Sequence, residues 1–452
     1  MKKVNSNQVG EDIAMKTKFK IVTVIICAMM IVLSLTACNN GLAGKSTLLG
    51  EPKIVEKVDY SALGSDDYKT FQKSVEAFAA DFGAYSYSNY EKQDNFAVSP
   101  ISVYMALALA AECAAGDTRQ EILDALGVDY QQLKTHFATL YRSLEVEHKA
   151  DDKTTGLLHL TNSIWVNEGT AVKQPCIDAL SNDYYAYSYS ADFARNNVQA
   201  NKAVRDFVKK QTRDLIDQDF ELSEETLFAL INTLYLKTIW NTDGRDLPFA
   251  KNKYDFTSKD GSVKNIQLLQ GDYMNGRAVE FDTFTTFYTS TYNGYKIKFI
   301  LPKDNYTIDK VFSAENIAKV NSITDYGYYN ETATECYITR VLFPEYKCGY
   351  NEDIIEILQN KFGINTLFTP ACDFSTLSDE SFYCDAIQHI TNLTVNRKGI
   401  EGAAVTTVGL DGASGPPDVK IVEADFIVNK AFGFIITNRQ DVTLFSGVVN
   451  NV

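Results

Sequence analysis

The sequence predicts an α+β fold, and the order of its apolar patterns carries this prediction. Helical spacing dominates the part of the chain that follows residue 66, whereas strand-like runs dominate the last third. Helices and strands that are segregated along a chain are typical of α+β folds, because parallel α/β sheets need the two to alternate. The 452 residues, 45% hydrophobic and 22% charged, have the composition of a globular protein.

The first predicted elements are helices. One begins near Asp66, where apolar residues recur at three- and four-residue steps. Ser99 followed by Pro100 is typical of an N-cap and a first-turn proline. The next residues, 103–113, are rich in Ala and Leu on every side, which predicts a helix buried all round. The apolar face of the first helix consists of Phe71, Val75, Phe78 and Phe82.

Two shorter helices are predicted further along the chain. Thr118 and Glu121 have the spacing of a capping box, and Gly127 has the position of a helix end. Apolar residues between Ile354 and Phe362 return to helical spacing. No internal repeat interrupts this order of elements.

Strands are predicted in the second half of the chain. Residues 228–236 are almost continuously apolar, as in a strand buried on both faces. Residues 294–301 and 385–396 alternate as half-buried strands do. Two further strand-like runs cover residues 426–437 and 442–449.

A segment of twenty residues, 399–418, interrupts the strands. Loops of that length are uncommon in compact domains and tend to be functional. Residues 400–408 contain Val and Thr, few charges and no Pro, so this half could itself lie in a sheet. The second half is rich in Gly and is expected to be accessible to proteases. The segment is therefore predicted to be an exposed loop whose first half is able to form a strand.

The N-terminus has the parts of a secretory signal. Lys16, Lys18 and Lys20 precede an apolar run over residues 21–35, which is short for a membrane-spanning helix. The run ends in Leu-Thr-Ala-Cys, which resembles the bacterial lipobox. We therefore expect residues 1–37 to be a signal peptide and Cys38 to be the lipid-modified N-terminus of the mature protein.

Residues 38–66 are then expected to be a tether, followed by the folded body over residues 67–452. The tether is small and polar, and a flexible chain of its length spans roughly 30 Å. This arrangement places the body on the cell surface, at the extracellular side of a bacterial membrane.

Composition excludes several classes of function. Asp and Glu outnumber Lys and Arg by 58 to 43, so the sequence lacks the excess of basic residues that is typical of nucleic-acid-binding proteins. Four histidines and no CxxC pairs argue against a metal site, and no cofactor is expected. The six cysteines of the body are expected to be mostly buried free thiols. No catalytic motif is present, and His389 in a buried strand is expected to be a core residue.

Several segments together resemble one protein family, the serpins, over residues 67–452. Residues 95–102 resemble the family's N-x-x-x-S-P-x-S signature, and His389 lies ten residues before Gly399, as the family expects. The other matching segments are residues 162–166 (Asn-Ser-Ile-Trp-Val), 232–240 (Asn-Thr-Leu-Tyr-Leu-Lys-Thr-Ile-Trp), 373–375 (Asp-Phe-Ser), 432–434 (Phe-Gly-Phe) and 444–447 (Leu-Phe-Ser-Gly).

The resemblance implies a serpin fold, with three β-sheets, eight to nine helices and an exposed reactive-centre loop. It also implies an inhibitor and not an enzyme. A target protease would attack the loop as a substrate and form an acyl-enzyme. The cut loop would then insert into the central sheet as an extra strand and distort the trapped protease.

The family's functional positions carry over to this sequence as follows. The breach, where insertion begins, matches Trp240. The hinge of the loop starts at Gly399, and the side chains that must face the core on insertion carry no charge. The shutter, a polar cluster under the central sheet, matches Ser99, Pro100, Ser102, Asn232 and His389; the hinge matches Gly399, Ile400, Glu401, Gly402, Ala403, Ala404, Val405 and Thr406.

This hinge departs from the family's pattern at three positions. Arg397 replaces a commonly acidic residue, Ile400 is bulkier than the usual Thr or Ser, and Gly402 lowers strand propensity. The departures favour a second reading, in which the protein is a non-inhibitory serpin that binds a partner or serves a structural role.

Counting from Gly399 by the usual loop length places the scissile bond at Ala413–Ser414. A small residue there is typical of an elastase-like target. Because the loop is a few residues longer than in many relatives, Leu410–Asp411 is an alternative, which would suit a chymotrypsin- or cathepsin-like target. The sequence thus predicts a surface-anchored monomer that traps an elastase-like serine protease, with papain-like cysteine proteases as alternative targets.

Overall fold

A computed structural model describes residues 44–53, 60–144, 146–150, 153–242, 245–329, 334–400 and 419–452. Residues 44–452 form one compact unit. Its described helices are α1 (Tyr60–Leu63), α2 (Asp66–Ser88), α3 (Pro100–Cys113), α4 (Gly116–Leu126), α5 (Tyr130–Leu144), α6 (Gln174–Asn182), α7 (Phe193–Gln211), α8 (Ile308–Val311), α9 (Ala314–Asn321) and α10 (Ile355–Phe362).

The strands alternate with these helices at first and then follow one another. They are β1 (Thr47–Gly50), β2 (Phe96–Val98), β3 (Val146–Ala150), β4 (Lys153–Asn167), β5 (Ala186–Ala191), β6 (Phe228–Ile239), β7 (Phe249–Thr257), β8 (Val263–Asn275), β9 (Val279–Glu280), β10 (Phe284–Ser290), β11 (Lys296–Pro302), β12 (Glu335–Phe343), β13 (Tyr346–Asp353), β14 (Gln388–Asn396), β15 (Gly399–Ile400), β16 (Lys420–Ile427), β17 (Phe432–Thr437) and β18 (Thr443–Val449). The predicted α+β class is confirmed.

The described strands form three sheets, of which two are joined. The central sheet has the order β1-β5-β4-β6-β15-β14-β13, and the second sheet the order β2-β18-β17-β11-β10-β9. A single parallel pair, Gly349 with Phe96, joins β13 to β2, so these two sheets form one hydrogen-bonded ladder. The third sheet has the order β16-β12-β8-β7, in which β16 runs parallel to β12.

The central helix α3 is buried along its whole length, as its sequence predicts. It packs on β6, β4 and β18, so it lies where the central and second sheets meet. The predicted apolar face of α2 is also buried, and Ser65 caps that helix by accepting a hydrogen bond from the Tyr68 N–H. Helix α3 thus contacts the central sheet, whereas α2 packs on α3 and on β18 and β2 of the second sheet.

Two local predictions are wrong. Thr118 does not cap a helix, because α4 begins at Gly116, and its hydroxyl accepts instead from the Asp373 N–H at 3.0 Å. The apolar run 426–437 is not one strand, since β16 ends at Ile427 and β17 begins at Phe432. Gly127 does end its helix, in the left-handed conformation (φ +68°) that favours glycine.

The N-terminal segment differs from the expected flexible tether at residues 44–53. Within them, β1 pairs antiparallel with β5 and forms an edge of the central sheet. The Gly44 N–H also donates to the Asp206 carboxylate, and the Lys45 N–H to the Gln199 carbonyl, both on α7. The packed body therefore begins well before residue 67.

The six body cysteines are free and buried, as predicted. Four of them lie on separate elements, α3, α6, β12 and β13, and burial raises the pKa of the Cys372 thiol to about 12. Thiols with such a high pKa are poor nucleophiles. These residues are Cys113, Cys176, Cys336, Cys348, Cys372 and Cys384.

Candidate functional site

The segment predicted to be the reactive-centre loop follows β15, which ends at Ile400, and precedes β16, which begins at Lys420. Residues 401–418 lie outside the described residues, as does Cys38. The predicted sites that fall there are the hinge positions Glu401, Gly402, Ala403, Ala404, Val405 and Thr406 and the candidate reactive bonds Leu410–Asp411 and Ala413–Ser414.

The first two hinge residues lie inside the central sheet. They form β15, which pairs antiparallel with β14 on one side and with β6 on the other. Ile400 is opposite Val395 and Thr238, and its side chain is fully buried. At this end of the sheet, the first two hinge residues therefore already occupy the place between β6 and β14 where an inserted strand would lie.

Gly399 is required by this arrangement. Its φ is +149°, and a Cβ on it would lie 2.0 Å from the Thr238 carbonyl oxygen. Only glycine adopts this backbone conformation readily and leaves room for the neighbouring strand. The start of the hinge thus depends on a residue without a side chain.

At the opposite end, β6 and the residues before β14 approach each other. Ala229 forms a parallel bridge with Ala386, and the Leu227 N–H donates to the Asp385 carboxylate at 2.8 Å. Because β6 and β14 run parallel, a strand placed between them in the direction of β15 is antiparallel to both. The two neighbours can therefore pair with the same incoming strand.

Ser99 and His389 meet under the central sheet. The Ser99 N–H donates to His389 Nε2 at 3.0 Å, so the ring is neutral and carries its proton on Nδ1. Phe82 and Tyr350 pack against the ring, with centroid distances of 5.9 and 5.8 Å. Burial in this apolar setting lowers the pKa of His389 to about 3.

The other predicted shutter residues have separate partners. Asn232 on β6 donates to the side chain of Asn162 on β4, and Asn162 in turn donates to the Tyr184 carbonyl. Ser102 lies at the start of α3, where its N–H donates to the Ser99 carbonyl. Pro100 is the first residue of that helix.

Two buried polar atoms of this region have no partner within the described residues. They are the Ser99 hydroxyl and the Asn232 side-chain oxygen. Sequence reasoning missed Asn162 and also Thr391, whose hydroxyl donates to the Ala97 carbonyl and links β14 to β2. Asn162 lies in a matching segment, which is the signal that could have identified it.

Trp240 lies directly after β6, beside the turn that joins β14 to β15. Its Nε1 donates to the Asn396 carbonyl at 2.7 Å, and its ring contacts Phe343 with a centroid distance of 5.5 Å. The indole thus connects the end of β6 to the start of the hinge. This is where a strand entering between β6 and β14 would begin.

Acidification is expected to lower the free energy of unfolding through His389, because this side chain binds a proton more readily in the unfolded chain than in the native protein. Its folded pKa of about 3 is below the usual 6.5, so its stabilising effect is complete above pH 6.5 and decreases as the pH falls towards 3. At pH 5 the loss is about 2 kcal/mol.

The measurement is the denaturant midpoint of the native protein and of His389→Asn between pH 8 and 5. An amide oxygen can accept from the Ser99 N–H but does not titrate, so the variant should show a flatter profile. The difference between the two proteins at each pH cancels the groups they share. Parallel profiles would contradict the prediction.

Among the described residues, no cluster of three or more His, Cys, Asp or Glu side chains has the geometry to hold a metal ion. None of the described helices combines the length and the apolar character that a membrane span requires.

Comparison with known proteins agrees with this fold. The profile of the family Serpin (serine protease inhibitor) matches residues 73–452. Iripin-2 of Ixodes ricinus is 27% identical over 80% of this chain and 88% of its own length. Alpha-1-antiproteinase of Rattus norvegicus is 25% identical over 88% of this chain and 93% of its own.

A solved structure shows the same fold. Native tengpin, a thermophilic serpin, superposes with a TM-score of 0.68 at 22% identity, covering 90% of this chain and all of its own. The fold and the family profile together identify a family of protease inhibitors, whose members are not enzymes themselves. The chain belongs to the serpin family.

Proposed function

We propose that this protein inhibits an elastase-like serine protease by inserting its cut loop into the central sheet. The observation that carries the proposal is the position of β15 between β6 and β14. Extending its register from Ile400 opposite Thr238 brings Leu410 opposite Phe228, the first residue of β6. The length of β6 thus suits a loop strand that ends close to both candidate reactive bonds.

The side chains of the hinge are compatible with this insertion. Ile400 points into the core, and successive side chains of a strand alternate between faces. Gly402, Ala404 and Thr406 would therefore follow it inward, and none of them is charged. The isoleucine that departs from the family's pattern is accommodated, since its side chain is fully buried.

The target class is inferred from the loop sequence. The shallow specificity pocket of elastase-like enzymes suits Ala413, which precedes Ser414. Cleavage at Leu410–Asp411 instead would suit a chymotrypsin- or cathepsin-like enzyme. We also propose that lipid on Cys38 holds the protein at the extracellular face of a bacterial membrane, where such proteases are met.

The proposal is tested by mixing residues 39–452 with pancreatic elastase and separating the products on a denaturing gel. We expect a band at the summed mass of inhibitor and protease, because the acyl-enzyme is covalent. Mass analysis of the released peptide locates the reactive bond. Cleavage by elastase, chymotrypsin and papain without such a band would overturn the inhibitory proposal.

A second candidate function is the binding of a small molecule by a non-inhibitory serpin. A cavity of about 480 Å³ lies between α2 and α9, which is large enough for a ligand. One protein that shares the fold is thyroxine-binding globulin, solved in complex with thyroxine. The cavity is lined in part by Lys69, Gln72, Glu76, Asn321 and Asp441.

A further inference from the structure

Arg397, which replaces a commonly acidic residue of the family, lies in the turn between β14 and β15. Its Nε donates to the Leu247 carbonyl at 3.0 Å, and the Leu247 N–H donates back to the Arg397 carbonyl at 2.8 Å. The guanidinium carbon lies 4.9 Å from the centroid of the Phe249 ring. These contacts tie the turn to the segment that enters β7.

The same turn is held from two other directions. The Arg397 N–H donates to the Glu345 carboxylate at 2.9 Å, in the turn between β12 and β13. On the other side, Trp240 donates to the Asn396 carbonyl. Backbone and side chain of the turn are therefore both bonded to the surrounding sheets.

What the turn positions is the start of the hinge. Gly399 and Ile400 follow Arg397 by two and three residues and lie paired between β6 and β14. A free turn would allow these two residues to leave the sheet, because they have only a short ladder of their own. The bonds of Arg397 supply the constraint that such a short strand lacks.

We propose that Arg397 is a positioning residue that holds Gly399 and Ile400 in the central sheet before the loop is cut. The consequence for inhibition rests on the proposed function. Insertion competes with hydrolysis of the acyl-enzyme, and a loop whose first residues are already paired begins insertion without having to nucleate the strand. Arg397 thereby favours trapping over simple cleavage.

The first test needs no protease. The chain has two tryptophans, so 5-fluorotryptophan gives two ¹⁹F resonances, one from Trp240 beside the turn and one from Trp165, buried under α7. In Arg397→Ala we expect the Trp240 resonance to shift or broaden while that of Trp165 stays in place. Lys398→Ala is the matched control, because Lys398 is the exposed neighbour of the same charge.

The second test is the number of inhibitor molecules consumed per elastase molecule trapped. We expect Arg397→Ala to raise this ratio about tenfold, since it loses a charge-assisted hydrogen bond and a cation–π contact together. Arg397→Lys keeps the charge but not the Nε donor, so its ratio should lie between that of the wild-type protein and that of Arg397→Ala. Phe249→Leu removes only the ring contact and gives a second variant if Arg397→Ala folds poorly.

The outcomes are distinct. An Arg397→Ala protein that matches Lys398→Ala in the Trp240 resonance would overturn the proposal, and so would a match in the stoichiometry when the wild-type protein traps elastase. A wild-type protein that is cut but never traps would overturn the proposed function, and the Trp240 resonance would still decide whether Arg397 holds the turn.

Discussion

Ala404→Arg is expected to convert the protein from a trap into a substrate. The inward face of the hinge is set by Ile400, which is fully buried, so Ala404 would enter the core on insertion. An unpaired guanidinium there carries a desolvation penalty of several kcal/mol, which should lower the yield of covalent complex about 100-fold or more. The rate of loop cleavage should not change.

The matched control is Ala403→Arg. It carries the same substitution one residue earlier, where the side chain would point to the opposite face of the sheet. Covalent complex is measured for both variants on denaturing gels against the same elastase. Equal loss of complex in the two variants would show that insertion does not follow the register of β15.

Cutting the loop is expected to raise the heat stability of the protein substantially. The inserted strand would pair with both β6 and β14, adding about ten net hydrogen bonds at about 1 kcal/mol each. At about 2 °C per kcal/mol, the unfolding midpoint should rise by roughly 20 °C. Calorimetry of the intact protein and of the same protein nicked in the loop measures this difference.

The control is the nicked Ala404→Arg protein, in which insertion is blocked and the midpoint should stay near that of the intact protein. A nicked wild-type protein with an unchanged midpoint would contradict insertion. It would instead favour the second candidate function, since a binding protein has no reason to gain stability when its loop is cut.

Much of the fold could be predicted because the pattern of apolar residues along each element depends on how that element is buried. The nearly continuous apolar character of α3 and β6 arises from burial on every side of the helix and on both faces of the strand, so the burial of these two elements could be predicted directly from the sequence. Thr118 shows the limit of this reasoning. Its spacing to Glu121 is that of a capping box, yet Glu121 accepts from the Asn365 and Thr366 N–H groups instead.

The candidate site was predicted less completely, because its contacts join residues that are far apart in the sequence. Ser99 and His389 could be placed through the family's motifs, whereas the partners of Arg397 could not. Leu247 is 150 residues away from Arg397 in sequence, and a contact over such a distance leaves no local pattern. From sequence alone, Arg397 reads as a departure that weakens inhibition; its contacts give it a defined place in the breach.

The strand β1 has a consequence for self-association. Open sheet edges present unpaired N–H and C=O groups that recruit strands from other molecules. In this protein β1 covers the edge of β5, so the chain's own N-terminal segment protects that side of the central sheet. A loop from a second copy would find β5 already paired, which leaves the interior position beside β15 as a place in the central sheet where a strand from another molecule could pair.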